Sequence, residues 1–244
     1  HQALALDYEK FTQFLKAKKE AEQILKIEKR NIWALQYLLY LSEKEENWDQ
    51  AVGLTKQIQK ITGKHDPDDL ARFQVYKGLE KLKSGFPDEA RSFFNKALKS
   101  SPDFGLPYRY LGDVFEQIRD LVKAVESWES FAVRDIKNAS LVFGKIESAL
   151  FDLGRYSEVE NFYRRILEID SSNFEAIIRL ANVLEEKGED GAALSLIEDA
   201  IDPQSIDVRG EIMKLKLSLT TSTPVELSHQ IDSILEKLSD AKDS

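Results

Sequence analysis

The fold of this chain is decided by residues 71–104, which read ARFQVYKGLEKLKSGFPDEARSFFNKALKSSPDF. The next 34 residues, 105–138, read GLPYRYLGDVFEQIRDLVKAVESWESFAVRDIKN and keep the same spacing of small and bulky side chains. The recurring pairs are Gly78 and Gly112, Ala90 and Ala124, and Phe94 and Trp128. Self-similarity at a fixed period of this length is the sequence signature of a stacked repeat protein.

The same period continues on both sides of these two segments. Towards the C-terminus the matching pairs are Gly154 and Gly188, Val159 and Ala193, Tyr163 and Ile197, and Ile166 and Ala200; towards the N-terminus they are Ala17 and Ala51, and Ile24 and Ile58. The pattern predicts an array over 1–207, with repeats at about 1–31, 32–65, 71–104, 105–138, 140–173 and 174–207. Residues 208–244 hold two weaker amphipathic segments, which we expect to form a degenerate repeat or a C-terminal cap.

Each repeat is predicted to be a hairpin of two α-helices. Small residues let the two backbones approach closely, and bulky side chains fill the space beside them. Gly78, Ala90, Phe94, Ala97 and Pro102 occupy positions 8, 20, 24, 27 and 32 of the tetratricopeptide-repeat pattern, which the chain resembles. The resemblance implies an all-α fold, a right-handed superhelix of about six hairpins with a C-terminal capping pair, because one hairpin cannot bury its apolar face alone.

Helix-breaking residues stand where this arrangement needs turns. They are Gly85-Phe86-Pro87, Gly154-Arg155 and Gly188-Glu189 within hairpins, and Ser101-Pro102 and Asp202-Pro203 between repeats. The polar stretch 63–69 includes five residues beyond the repeat length and predicts a lengthened turn.

The composition excludes several classes of function. The 244 residues are 42% hydrophobic and 32% charged, which is enough apolar material for a continuous core. A formal net charge of −9 argues against binding to nucleic acid, which requires clustered Lys and Arg. Residues 1–31 carry seven basic and five acidic residues, whereas residues 168–244 carry seven basic and 17 acidic ones. No apolar run approaches the roughly 18 to 20 residues that span a bilayer, so we expect no direct membrane insertion by this stretch.

Catalytic chemistry is not expected either. The chain has no cysteine, its three histidines are scattered along the sequence, and neither a phosphate-binding glycine loop nor a dinucleotide-binding turn occurs. Adjacent carboxylates such as Glu185 and Glu186 point about 100° apart on a helix, as is typical of a solvated face. We therefore expect no enzyme activity, no catalytic residue, no metal site and no cofactor.

A protein-binding groove is the function that the repeats favour. In tetratricopeptide arrays the first helix of each hairpin lines the concave face, chiefly at repeat positions 2, 5, 9 and 12. The candidate groove residues are Trp33, Tyr40, Arg72, Val75, Leu79, Leu106, Arg109, Asp113, Leu141 and Phe151. The same positions in the last two repeats also hold Gly144, Ser148, Glu175, Ile178, Asn182 and Glu185, so the groove is predicted to be apolar near its N-terminal half and acidic near its C-terminal end. The expected partner is a peptide segment or a folded protein. The alternatives are a homodimer or larger homo-oligomer packed through the apolar positions, and a repeat scaffold of an unrelated complex.

In the order of its repeats and their irregularities, the chain resembles the cytoplasmic repeat domain of the bacterial lipopolysaccharide assembly protein B family. The stretches that carry the resemblance are 47–52 ahead of the linker 60–64, 70–76, and 111–115 leading into 121–128. The resemblance implies an adaptor that faces the cytoplasm from one N-terminal inner-membrane helix and presents a deacetylase of lipid A synthesis to a membrane protease. It also implies a rubredoxin-like metal module, whose paired cysteines have no counterpart in these 244 residues. Because residue 1 is His and the chain opens inside a predicted helix, we expect a piece of a longer protein, with the anchor upstream.

Overall fold

The computed structural model of the protein describes residues 1–200, 208–219 and 222–240. All regular secondary structure in these ranges is helical, which confirms the predicted all-α class. The chain divides into two compact units, residues 1–118 and 119–244, and the division falls within the predicted repeat 105–138. The repeat boundaries themselves stay a prediction.

The first unit contains seven α-helices. They are α1 (Gln2–Lys10), α2 (Phe14–Ile27), α3 (Ile32–Lys44), α4 (Trp48–Thr62), α5 (Pro67–Lys83), α6 (Pro87–Ser100) and α7 (Gly105–Gln117). Each helix packs against the next one in the chain, and α5 also packs against α7. Packing between both nearest and next-nearest neighbours is the arrangement of an α-solenoid.

The second unit repeats this arrangement over its described residues. Its helices are α8 (Leu121–Arg134), a 3-10 turn (Ile136–Asn138), α9 (Ser140–Asp152), α10 (Glu158–Ile169), α11 (Phe174–Glu186), α12 (Asp190–Ala200), α13 (Val208–Ser218) and α14 (Pro224–Asp240). Here α8 packs against α10, and α11 against α13, in addition to the sequential contacts.

Gly78 in α5 shows why a small residue recurs in the repeat. A Cβ atom built on Gly78 would lie only 2.4 Å from Cε1 of Phe94 in α6. Phe94 is fully buried and stacks on Tyr110 of α7 with a 5.8 Å distance between ring centroids. The predicted close approach of two helices at a glycine is confirmed at this hairpin.

Aromatic side chains fill the core of the second unit. Phe143 of α9 meets Phe162 and Tyr163 of α10 edge-on, with ring centroids 5.6 and 5.2 Å apart. Trp128 of α8 is fully buried in the same unit. These contacts hold α9 and α10 together and fix the direction in which the opposite face of α9 points.

The turns follow the predicted breakers with one correction. Gly85, Gly154 and Gly188 adopt left-handed φ angles of +83°, +68° and +78° between helices, as their hairpin positions predict. The stretch 63–69 is a shorter turn than expected, because Asp66 caps the N-terminus of α5 and Pro67 starts that helix. The predicted break at 202–203 lies outside the described residues.

Candidate protein-binding cavity

The groove residues predicted in the first unit are largely engaged in packing and ion pairs. Trp33 is half-buried against the core formed by α1–α4, and Leu79 and Leu106 are half-buried against the core shared by α5, α6 and α7. Val75 is a correction, because its side chain is fully buried in the same cluster as Leu111 of α7 and cannot contact a partner.

The polar candidates of this unit stay at the surface. Tyr40 is exposed, with the Lys44 ammonium 4.6 Å from its ring centroid. The Arg72 guanidinium donates to Glu43 at 2.6 Å and so ties α5 to α3. Arg109 and Asp113 are half-exposed on α7.

The second unit contains an open cavity of about 810 Å³ on one face of α9 and α11. We call it the α9–α11 cavity. Its lining residues are Gly144, Glu147, Ser148 and Phe151 from α9, Tyr156 from the turn after α9, Val159 from α10, Glu175, Ile178, Arg179, Asn182, Val183, Glu185 and Glu186 from α11, and Lys216 from α13. Leu141 is exposed on α9 but does not line the cavity.

Helical spacing brings these residues to one face. In α9, Gly144, Ser148 and Phe151 are separated by four and three residues, which places them in one row along the helix. The residues of α11 at the same repeat positions form a second row beside it. Phe151 is 69% exposed, so its ring is available to a partner, whereas the opposite face of α9 is buried against α10.

A polar network joins the two helices that form the cavity wall. Arg179 of α11 donates to Glu147 of α9 at 2.6 Å and to Glu175 of its own helix at 2.8 Å. The buried Tyr163 hydroxyl donates to the other oxygen of Glu147 at 2.5 Å. Burial and this hydrogen bond raise the pKa of Tyr163, so it stays neutral. Although partial burial opposes its charge, hydrogen bonds to both glutamates raise the pKa of Arg179.

Aromatic and acidic side chains form the rim at the C-terminal ends of α9 and α11. The rings of Phe151 and Tyr156 meet edge-on with centroids 6.2 Å apart, and the Tyr156 hydroxyl donates to Glu186. This hydrogen bond raises the pKa of Tyr156. Lys216 of α13 donates to Glu185 at 2.5 Å.

Several members of this site were not among the sequence candidates. Tyr156 stands in a turn and Lys216 in a helix beyond the clear repeats, so the repeat positions could not identify either residue. Glu186 follows Glu185 along α11 and is exposed, as expected of a solvated face, and both residues line the open cavity. The only available signal for Tyr156 was its place just after the predicted breaker Gly154.

In the portions of the chain that the structure describes, no group of three or more acidic or histidine side chains could hold a metal ion. Across residues 1–200, 208–219 and 222–240, no helix combines the length and the apolar character needed to cross a bilayer.

Comparison with known proteins finds sequence relatives for part of the chain. No family model matches the chain. The chain is 24% identical over 162 residues to lipopolysaccharide assembly protein B of Escherichia coli strain K12, a match that covers 66% of this chain and 41% of that protein. The chain therefore spans about two fifths of the length of the curated relatives it matches.

Solved structures match more loosely. The crystal structure of MamA has a TM-score of 0.47 at 21% identity and covers 68% of this chain and 97% of its own. PilF of Pseudomonas aeruginosa has a TM-score of 0.47 at 13% identity, with 92% and 93% covered. The chain is therefore an all-α array of repeated helical hairpins that resembles tetratricopeptide-repeat proteins, and 162 of its residues are similar in sequence to lipopolysaccharide assembly protein B.

Proposed function

We propose that this chain is a non-catalytic adaptor that holds a segment of a partner protein in the α9–α11 cavity. The observation that carries the proposal is the exposed Phe151 ring on the rim of an open 810 Å³ concavity. Large exposed aromatic side chains beside charged ones are the usual anchors of protein interfaces. The polar groups at the cavity wall bond to one another, which suits a rigid binding surface better than acid–base chemistry.

The dimensions of the cavity suit a short extended segment. Glu175 and Glu185 stand ten residues apart on α11, which corresponds to about 15 Å along the helix. An extended strand advances about 3.3 Å per residue, so a segment of four to five residues spans this length.

We further propose that the partner belongs to bacterial envelope biogenesis, in the assembly of lipopolysaccharide. The support for this pathway is the sequence similarity to lipopolysaccharide assembly protein B. An adaptor of this kind would act from the cytoplasmic side of the inner membrane, tethered by a segment upstream of residue 1.

Gly144 is a suitable position for a variant that fills the cavity. A Cβ atom on Gly144 would meet nothing within 4 Å, so the side chain of the variant Gly144→Leu starts in open space at the cavity floor. Gly53 of α4 offers the matched control, since it is also an exposed mid-helix glycine whose Cβ would meet nothing.

The test compares proteins captured from a bacterial lysate by the wild type, Gly144→Leu and Gly53→Leu, quantified by mass spectrometry. We expect at least one specific partner to be lost with Gly144→Leu and kept with Gly53→Leu. Identical sets of captured proteins for all three would refute binding through this cavity.

Self-association is a second candidate, favoured by exposed apolar side chains on α13, just after α13 and at the start of α14. Ile212, Leu219 and Val225 are 57%, 61% and 66% exposed. Light scattering across a dilution series measures this directly: a mass that stays monomeric at all concentrations removes the homo-oligomer, and a concentration-dependent mass that Leu219→Glu abolishes supports it.

A further inference from the structure

We infer that the occupant of the α9–α11 cavity is a cationic segment that places an arginine over Phe151 and against Glu186. This inference rests on the proposed function of the cavity and adds the chemistry of the partner. Three features of the cavity support it: the net charge of its lining, the pairing of its two cations with glutamates, and the arrangement of the side chains at its rim.

The charge balance of the lining is negative. Four glutamates line the cavity (Glu147, Glu175, Glu185 and Glu186), against the two cations Arg179 and Lys216. The formal excess is two negative charges, in a chain whose net charge is −9. A positive segment is therefore attracted both at long range and in the bound state, whereas an acidic one is repelled.

Both cations of the lining are already held by carboxylates. Arg179 donates to Glu147 and Glu175, and Lys216 donates to Glu185. Each cation keeps further N–H donors, but an acidic ligand would have to share a charge already paired with a glutamate and would approach the other carboxylates of the lining. Recognition of an anionic peptide is therefore disfavoured on energetic grounds as well as by net charge.

The rim combines an aromatic face with a carboxylate. Phe151 contacts Tyr156 edge-on, and the Tyr156 hydroxyl donates to Glu186, so the three side chains form one continuous patch. A guanidinium is planar, stacks on aromatic rings and can bond a carboxylate through two N–H groups. Lysine offers only a point charge at such a patch, which favours arginine as the anchoring residue.

Gly144 indicates where the backbone of the bound partner segment lies in the cavity. Its missing side chain leaves the α9 backbone bare in the cavity floor, with open space above it. The partner backbone can approach α9 closely there, while the arginine extends towards the rim at Phe151, seven residues and about 10 Å further along the helix.

The test is a selection from a displayed library of random heptapeptides on the immobilised full chain, with Gly144→Leu and Gly53→Leu as paired baits. We expect the peptides that bind wild type and Gly53→Leu, but not Gly144→Leu, to be enriched in arginine and depleted in Asp and Glu. The best peptide is then synthesised with arginine or with its neutral isostere citrulline.

We expect citrulline to weaken binding about tenfold, which corresponds to the combined loss of a surface cation–π contact and an ion pair. Glu186→Gln and Phe151→Leu should each reduce affinity for the arginine peptide and leave binding of the citrulline peptide nearly unchanged. Circular dichroism of each variant checks that the helices are intact.

The outcomes separate the two proposals. Cavity-dependent peptides that bind equally with arginine or citrulline, or that are rich in Asp and Glu, would overturn the cationic partner while leaving the cavity as a binding site. A selection that yields no peptide sensitive to Gly144→Leu would overturn the proposed function of the cavity as well.

Discussion

Arg179 on α11 donates a 2.6 Å hydrogen bond to Glu147 on α9, and this contact joins the two helices that form the cavity. Glu147 also accepts the buried hydroxyl of Tyr163 from α10, so one carboxylate connects three helices. The two oxygens of Glu147 are each used, which fixes the carboxylate in one orientation. The wall of the proposed binding site is therefore preorganised before any partner arrives.

Removal of this carboxylate should destabilise the second unit. Glu147→Ala leaves the buried Tyr163 hydroxyl without its acceptor and removes one of the two carboxylates that Arg179 bonds. We expect a loss of about 2–3 kcal/mol in the free energy of unfolding, measured by urea titration. Glu198→Ala serves as the control, because the Glu198–Lys214 pair at 3.0 Å is more exposed and should change the midpoint very little. Equal effects of the two changes would show that Glu147 has no special role.

The stability of the chain at alkaline pH should depend on the buried hydroxyl of Tyr163. Burial raises its pKa in the folded chain above the ordinary value of about 10, so the unfolded chain loses this proton first as pH rises. The stabilisation is complete below pH 10 and declines above it, by up to about 1.4 kcal/mol per pH unit.

The comparison with Tyr163→Phe isolates this residue. Burial also raises the pKa of Tyr37 to about 12, but that contribution is common to both proteins. We expect the stability difference between wild type and variant to shrink from pH 9.5 to pH 11.5, as measured by urea unfolding at each pH. A difference that stays constant over this range would contradict the raised pKa.

Two residues at the same repeat position show what sequence reasoning could and could not resolve. Val75 and Gly144 both stand at position 5 of their predicted repeats, and the repeat rule assigns both to the concave face. Val75 is buried because α7 packs over it, with Leu111 in the same cluster, whereas Gly144 faces open space. The repeat period predicts which residues of a helix lie on the concave face. Whether a neighbouring helix buries a particular residue of that face depends on side-chain packing between helices, which the period does not predict.

The rim of the cavity was harder to predict for another reason. The row through Ser148 and Phe151 follows from helical spacing, so it could be found from the repeat alone. Tyr156 and Lys216 reach the cavity from a turn and from a helix outside the clear repeats, where no periodic signal exists. Turn geometry and the position of α13 come from tertiary packing, which the repeat spacing does not encode.

The effect of a glycine substitution on stability should depend on the space around that glycine. In Gly78→Ala the new methyl group would lie 2.4 Å from the fully buried Phe94 ring, which has no free space into which to move. We expect a loss of about 1–3 kcal/mol from overpacking. Gly53→Ala and Gly144→Ala meet nothing and should gain about 0.5–1 kcal/mol from the higher helix propensity of alanine.

Thermal unfolding followed by circular dichroism measures all three glycine variants under one condition. The double variant Gly78→Ala with Phe94→Leu provides a check on mechanism, since a smaller side chain at position 94 relieves the clash. The double variant should lose less stability than the sum of the two single changes. Simple additivity would contradict steric conflict between these two positions.

Val75 and Phe151 allow packing and binding to be separated, because both were groove candidates and only one is exposed. Val75→Ala should cost about 2 kcal/mol of stability, since it leaves a void in the buried cluster shared by α5, α6 and α7. Phe151→Ala removes a ring that is 69% exposed, so the unfolding midpoint should stay within about 0.5 kcal/mol of wild type. The effects on affinity for a peptide that binds in the cavity should be in the reverse order, as measured by isothermal titration. Phe151→Ala should reduce this affinity at least tenfold, as for an interface anchor. Val75→Ala should leave it unchanged at a temperature where that variant is folded. If Phe151→Ala instead unfolds the chain, or Val75→Ala alone abolishes peptide binding, the assignment of Phe151 to the binding surface and of Val75 to the core is wrong.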